Sequence, residues 1–148
     1  MFGLLFRILR FFLVSAVVVF VLIQFVPYRL KNPPVHDEPK WDSAQTRALV
    51  VASCYDCHSN ATKRHWYTQI APFSWLSVKE VRKGRAVLNF SAWTASKPLP
   101  PGVIAESYAS GSMPPSWYTW LGFHPQAKLT KQERAELLAG LRKTFGAG

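Results

Sequence analysis

Residues 53–60 read SCYDCHSN, and this stretch holds every cysteine of the chain. Cys54 and Cys57 are separated by two residues, and His58 follows at once. Two thiols and an imidazole at that spacing point to three chemistries. A dithiol redox pair calls for a βαβ setting, which the flanking hydrophobic pattern does not supply. A structural zinc site usually takes two separated ligand pairs, and with His58 and His65 as the further ligands the donors would be too crowded. The third chemistry uses every atom: Cys-x-x-Cys-His is the attachment signal for a c-type haem. Both sulfurs can reach vinyl groups along one porphyrin edge, and His58 then sits below the ring as the proximal iron ligand. Covalent attachment consumes both thiols and keeps a flat cofactor from leaving a domain too small to enclose it.

A haem bound this way has a sixth coordination position, and Met113 is the candidate to fill it. Apart from the initiator it is the only methionine, and it lies in SGSMPPSW, residues 110–117. A thioether is a soft, neutral donor that raises the potential of a His/Met haem. Pro114 and Pro115 stiffen the strap that carries it, and Gly111 permits a turn just before. His124 is the runner-up distal ligand. The expected cofactor set is therefore one haem c, covalently attached, held by Cys54, Cys57, His58 and Met113, with His58 and Met113 on the metal. Arg47, Arg64 and Arg85 are candidates to neutralise propionates, and Trp117, Tyr118 and Trp120 to shield the iron or donate to a propionate.

Around the motif the pattern is helical. Asp42 or Ser43 can cap a helix over AQTRALVVASC that runs into the first cysteine. Residues 74–90 space Trp75, Val78, Val81, Arg85 and Leu88 at helical intervals, with Gly84 weakening the run. Residues 91–102, rich in proline, read as loop, and a short helix fits Val103–Ala109. The last element opens with Thr130 and Glu133 in capping-box spacing. Leu137, Leu138, Leu141 and Phe145 then mark one face. No strand pattern persists, so the fold class is all-α.

The beginning of the chain differs in kind. Phe11–Val26 carries no charge, and at about 1.5 Å per residue it spans roughly 24 Å, which Ile8 and Leu9 extend towards the ~30 Å hydrocarbon core. Arg7 and Arg10 can snorkel to headgroups, and Pro27 ends the helix. No small-x-small cleavage site follows, so the segment reads as an uncleaved anchor rather than a removed signal peptide. The organisation is then a signal anchor over 1–26, a proline-rich tether over 27–40 and a cofactor-binding domain over 41–148. Basic residues flank the anchor on both sides, which leaves its orientation open on charge alone.

The formal charge is +10, with the densest basic cluster at Lys79, Arg82, Lys83 and Arg85. Such a field suits anionic headgroups or an acidic protein partner. No nucleic-acid motif accompanies it, so no nucleic acid is expected as partner. Ten Phe, six Trp and five Tyr can wall a flat ligand or fill a small core.

The order of helix, Cys-x-x-Cys-His, Met-Pro strap and closing helix resembles a class I cytochrome c. More narrowly, CYDCHSN, WYTQIAPFSWL, GRAVLNFSAW, GSMPPSWYTWLGFHPQAKLT and ERAELL resemble the bacterial haem-binding domain family of small, often membrane-anchored proteins. The resemblance implies a cytochrome c-like helical domain with an N-terminal transmembrane helix, single-pass in the bacterial inner membrane, with the haem domain in the periplasm. The expected role is single-electron transfer between periplasmic redox proteins, without enzyme activity or catalytic residues. The alternative is a haem sensor, or a peroxidase-like or small-molecule-binding haem protein, with an open sixth position.

Overall fold

The computed structural model describes residues 2–120 and 122–146. Residue 1 and residues 147–148, at the outer ends of the expected anchor and domain, lie outside the described residues. The described residues are all-helical: α1 Phe2–Ile23, α2 Ala44–Ser53, α3 Tyr55–His58, α4 Phe73–Val87, α5 Val103–Ala109, α6 Ser116–Trp120 and α7 Lys131–Phe145, with 3-10 turns at Trp66–Gln69 and Pro125–Ala127. Asp37 and Ala92 form an isolated bridge.

The chain divides into two compact units, Met1–Lys31 with Arg64–Glu80, and Asn32–Lys63 with Val81–Gly148. The boundary falls inside α4. In the first unit α1 has 22 residues, about 33 Å at helical rise. It is apolar enough to cross a membrane. It starts further upstream than the uncharged run Phe11–Val26 and takes in Arg7 and Arg10. It also stops before Gln24 rather than at Pro27. Gln24 then turns its amide onto Ala71, accepting from the Ala71 N–H at 2.9 Å and donating to its carbonyl at 3.1 Å.

In the second unit the core forms where α2, α5 and α7 meet. Leu49 and Val50 of α2, Ala105 of α5 and Leu137 and Leu141 of α7 are buried together with Tyr55, Leu88 and Phe90. The periodic apolar face read from the last helix is thus the one it buries, Leu137 and Leu141 most completely. The N-terminal caps read for two helices are present as well. Thr130 and Glu133 close a reciprocal capping box, and the Ser43 side chain caps α2 by accepting from the Thr46 N–H.

Gly140 explains how α2 and α7 come so close. A Cβ placed there would lie 2.7 Å from Thr46 Cγ2 and against the same residue's Oγ1, so only a residue without a side chain lets the two backbones cross at that point.

Only part of the aromatic complement is core. The Phe residues of α1 and Trp66, Phe73, Trp117, Trp120 and Phe123 are exposed, while a cluster in the second unit gathers around Phe90. Phe90, 1 % exposed, stacks on Tyr55 at 5.7 Å and meets Trp41 at 5.4 Å, with Trp93 and Phe145 at 6.3 Å. Such ring pairs add to their area burial. The segment before α2 also has fixed partners in this unit. Asn32 donates to the Thr62 carbonyl at 2.8 Å, Pro34 accepts from Asn60 at 2.7 Å, and the His36 N–H donates to Ser91 at 2.9 Å.

Candidate cofactor site

The motif forms because α2 stops at Cys54 and a new single turn begins there. The Cys54 N–H still donates to the Val50 carbonyl, while its own carbonyl accepts from the N–H groups of Cys57 and His58 at 3.2 and 2.9 Å. Residues three and four apart share one helix face, so this turn gathers Cys54, Cys57 and His58 on one side. No disulfide joins the two described cysteines. Burial pushes the Cys54 thiol up to about 11, with a contact from the Ser53 hydroxyl working against it.

His58 is fixed by the segment that follows α4. Its Nδ1 lies 3.1 Å from the Leu88 carbonyl, a partner that assigns the proton to Nδ1 and leaves the lone pair on Nε2. Its own carbonyl accepts from the Phe90 N–H at 2.7 Å, and the Phe90 ring meets the imidazole edge-on at 6.4 Å. Burial lowers the His58 pKa, opposed in part by the Leu88 carbonyl, so the neutral, ligating form prevails at neutral pH. The LNF stretch therefore holds the imidazole through side chain and backbone at once.

Behind the motif, Gly84 of α4 lies against Cys57. A Cβ there would sit 2.5 Å from the Cys57 carbonyl oxygen. The glycine that weakens the helical pattern is what lets α4 approach the attachment turn. Next to it Arg85 donates to the Ser59 carbonyl at 2.7 Å, and to Asn32 and Thr62 at 3.0 Å. Arg85 thus clamps the loop after His58. Arg47 is bidentate to Glu38 at 2.7 Å through Nε and Nη2.

Asp56, between the two cysteines, is the hub of a second network. Its Oδ2 accepts from the Tyr118 hydroxyl at 2.7 Å and lies 3.3 Å from His124 Nδ1, and its Oδ1 accepts from the Lys63 N–H at 2.9 Å. The Tyr118 and His124 rings stack at 3.7 Å. Burial alone would raise the Asp56 carboxyl, but His124, the Lys63 N–H and Tyr118 outweigh it and hold it at about 2. Tyr118 and His124 are thereby placed on Asp56, a role the sequence did not disclose for either.

Met113 follows α5, its N–H donating to the Ser107 carbonyl at 3.0 Å. Its side chain lines a cavity of about 430 Å³ together with Ser53, Tyr108, Arg134 and Leu138. The cavity thus reaches Ser53, which touches the Cys54 sulfur at 3.4 Å. His58 is not among its walls. Arg134 is the residue missed in the sequence. It stands on the stripe of α7 that continues through Leu138 and Leu141, and a cation on an apolar stripe is the signal that could have found it. Burial raises the Tyr108 hydroxyl pKa, with the Arg134 guanidinium opposing.

These features fit a haem. A partly buried imidazole with an assigned tautomer, two thiols on its face of the turn, and a cavity holding a thioether and a guanidinium match the donor set and the anionic edge of that group. The sequence profile of the haem-binding domain family matches residues 18–143.

The chain belongs to the haem-binding domain family. The match takes in the motif, the LNF segment and the Met113 strap, and it begins within α1. No curated protein and no solved structure matches the chain.

Proposed function

We propose that this haem-binding domain protein is a membrane-anchored monohaem c-type cytochrome that passes single electrons between redox proteins of the periplasm. In this reading residues 1–26 anchor the chain in the inner membrane, 27–40 form the tether, and 41–148 carry the haem outside the cytoplasm. Cys54 and Cys57 would hold the cofactor through thioethers, and His58 and Met113 would ligate its iron. The bound haem supplies reversible one-electron chemistry of iron. The chain's own residues set its conditions: Leu88 orients the imidazole, Arg134 offers charge to a propionate, and the core around Phe90 keeps the attachment turn rigid. On this reading the protein carries electrons, and no catalytic role is assigned to its residues.

The observation that carries this reading is the 3.1 Å contact from His58 Nδ1 to the Leu88 carbonyl. It leaves Nε2 as the donor within an intact Cys-x-x-Cys-His turn. The test is the protein made with a functional haem-maturation system. Its colour should survive acidified organic solvent, and the oxidised form should be low-spin with a methionine-to-iron charge-transfer band. Pigment released into the solvent would overturn covalent attachment.

A second reading, a haem sensor or a peroxidase-like or small-molecule-binding haem protein with an open sixth position, draws on the exposure of Met113, 43 %, beside a cavity large enough for a small ligand. Rapid carbon monoxide binding by the ferrous protein, with a high-spin oxidised form, would favour it.

A further inference from the structure

The first compact unit contains, besides α1, a set of large apolar side chains with no cover. Trp66 is 71 % exposed, Phe73 59 % and Leu76 57 %, and Ile70 lies between them in sequence. Trp66 opens the 3-10 turn Trp66–Gln69, Ile70 follows that turn directly, and Phe73 and Leu76 lie in the first turn of α4. Phe25, just past the end of α1, is also exposed. An apolar cluster of this kind on a water-soluble surface calls for a partner.

The position of the cluster along α1 names that partner. The Gln24 amide donates to the Phe20 and Ala71 carbonyls at 2.9 and 3.1 Å, and its oxygen accepts from the Ala71 N–H at 2.9 Å. This pair of bonds pins Ala71, which lies between Ile70 and Phe73, to the C-terminal end of the helix. Where that helix leaves the hydrocarbon, Ile70 and Phe73 are at the same level. The bonds also satisfy both ends of the Gln24 amide and the Ala71 backbone without water, which is what a polar group at the edge of a bilayer needs. Trp at this level is favoured by its amphipathic ring, and exposed Arg64 and Lys79 flank the cluster with charge suited to anionic headgroups.

We propose that the segment from Trp66 to Leu76 lies in the lipid–water interface beside the C-terminal end of α1, so that the chain holds the bilayer at two places, one spanning and one interfacial. This rests on α1 being a membrane anchor. Phe73 and Leu76, three residues apart on one face of α4, enter the acyl boundary, and Lys79, the next residue at that spacing, meets phosphate.

The test is collision-based depth measurement on the full chain in nanodiscs of phosphatidylethanolamine and phosphatidylglycerol. A nitroxide is placed by p-acetylphenylalanine at Phe73, Leu76 or Val17, one position at a time, with Gln132 as the aqueous reference. Oxygen should relax the label more strongly than a water-soluble nickel chelate at positions 73 and 76, as it does at 17, and the order should reverse at 132. Nickel dominance at 73 and 76 with oxygen dominance at 17 overturns the interfacial segment while leaving the anchor in place. Protection from both reagents at 73 and 76 also overturns it, since a protein partner or a second copy then covers the face. Nickel dominance at 17 removes the anchor and this inference together.

Discussion

The Tyr118 hydroxyl donates to Asp56 Oδ2 at 2.7 Å, tying the helix that follows the Met113 strap to the residue between the two cysteines. The two parts of the proposed haem site are far apart in sequence, and this bond joins them directly. The His124 ring, stacked on Tyr118, and the Lys63 N–H meet the same carboxylate.

Tyr118→Phe keeps the ring and its stack while deleting the hydroxyl. Removing one donor from a partly buried carboxylate costs about 1 kcal/mol. The variant should unfold at lower denaturant with an unchanged slope, and its methionine-to-iron band should weaken on warming sooner than in the parent. A midpoint equal to the parent's would mean that the bond does not couple strap and turn.

Gly84→Ala sets two effects against each other. Helix propensity favours alanine by about 1 kcal/mol, whereas the new Cβ would stand 2.5 Å from the Cys57 carbonyl oxygen, an overlap costing typically about 1–3 kcal/mol because backbone must move. Sterics should win, giving lower stability and less haem incorporated per chain. A more stable variant with full haem content would show that α4 can retreat from the turn at no cost.

Local signals carried the sequence reading where the partners are neighbours. Ser43 caps α2, Thr130 and Glu133 close a box, and α5 occupies Val103–Ala109 as its pattern indicates. The Cys-x-x-Cys-His turn was legible for the same reason. What escaped depends on contacts across the chain. Asp56 meets Tyr118 and His124, Gly84 makes room for Cys57, and Arg85 clamps Ser59. Nothing in the periodicity around any one of these residues encodes its partner. The short α6 after Pro115 escaped too, because five residues are too few to show a period.

Cys54 offers a test on haem-free protein. Its thiol is raised from 9.0 to about 11 by burial, so at pH 8 the thiolate fraction is ~100-fold below that of an ordinary thiol. With Cys57→Ser isolating the site, alkylation of the folded chain should be slow by about that factor and should accelerate up to pH 11. The linkage has a definite sign. A raised folded-state pKa contributes stability that is complete below about pH 9 and lost as pH rises towards 11. Denaturation midpoints should therefore decline more steeply across that window in Cys57→Ser than when Cys54 is also replaced by Ser. The slope left in the double variant belongs to the tyrosines Tyr55 and Tyr108, whose pKa values burial also raises. Alkylation as fast as that of a free thiol would place the sulfur in water.

Met113 decides between the two functional readings. As a neutral thioether ligand it raises the iron potential, and its loss leaves either water or no sixth donor. Axial ligands span about 0.8 V across haem proteins, so Met113→Ala should lower the reduction potential on the order of 0.1 V, abolish the methionine-to-iron band and open the ferrous iron to carbon monoxide. Stability should change little, since the side chain is 43 % exposed and leaves no closed cavity behind. His124→Ala is the matched control. It removes the stack on Tyr118 and lowers stability, but keeps the potential and the band. If the two variants exchanged these effects, His124 rather than Met113 would be the distal ligand, and a potential unchanged in both would leave the sixth position to a small molecule.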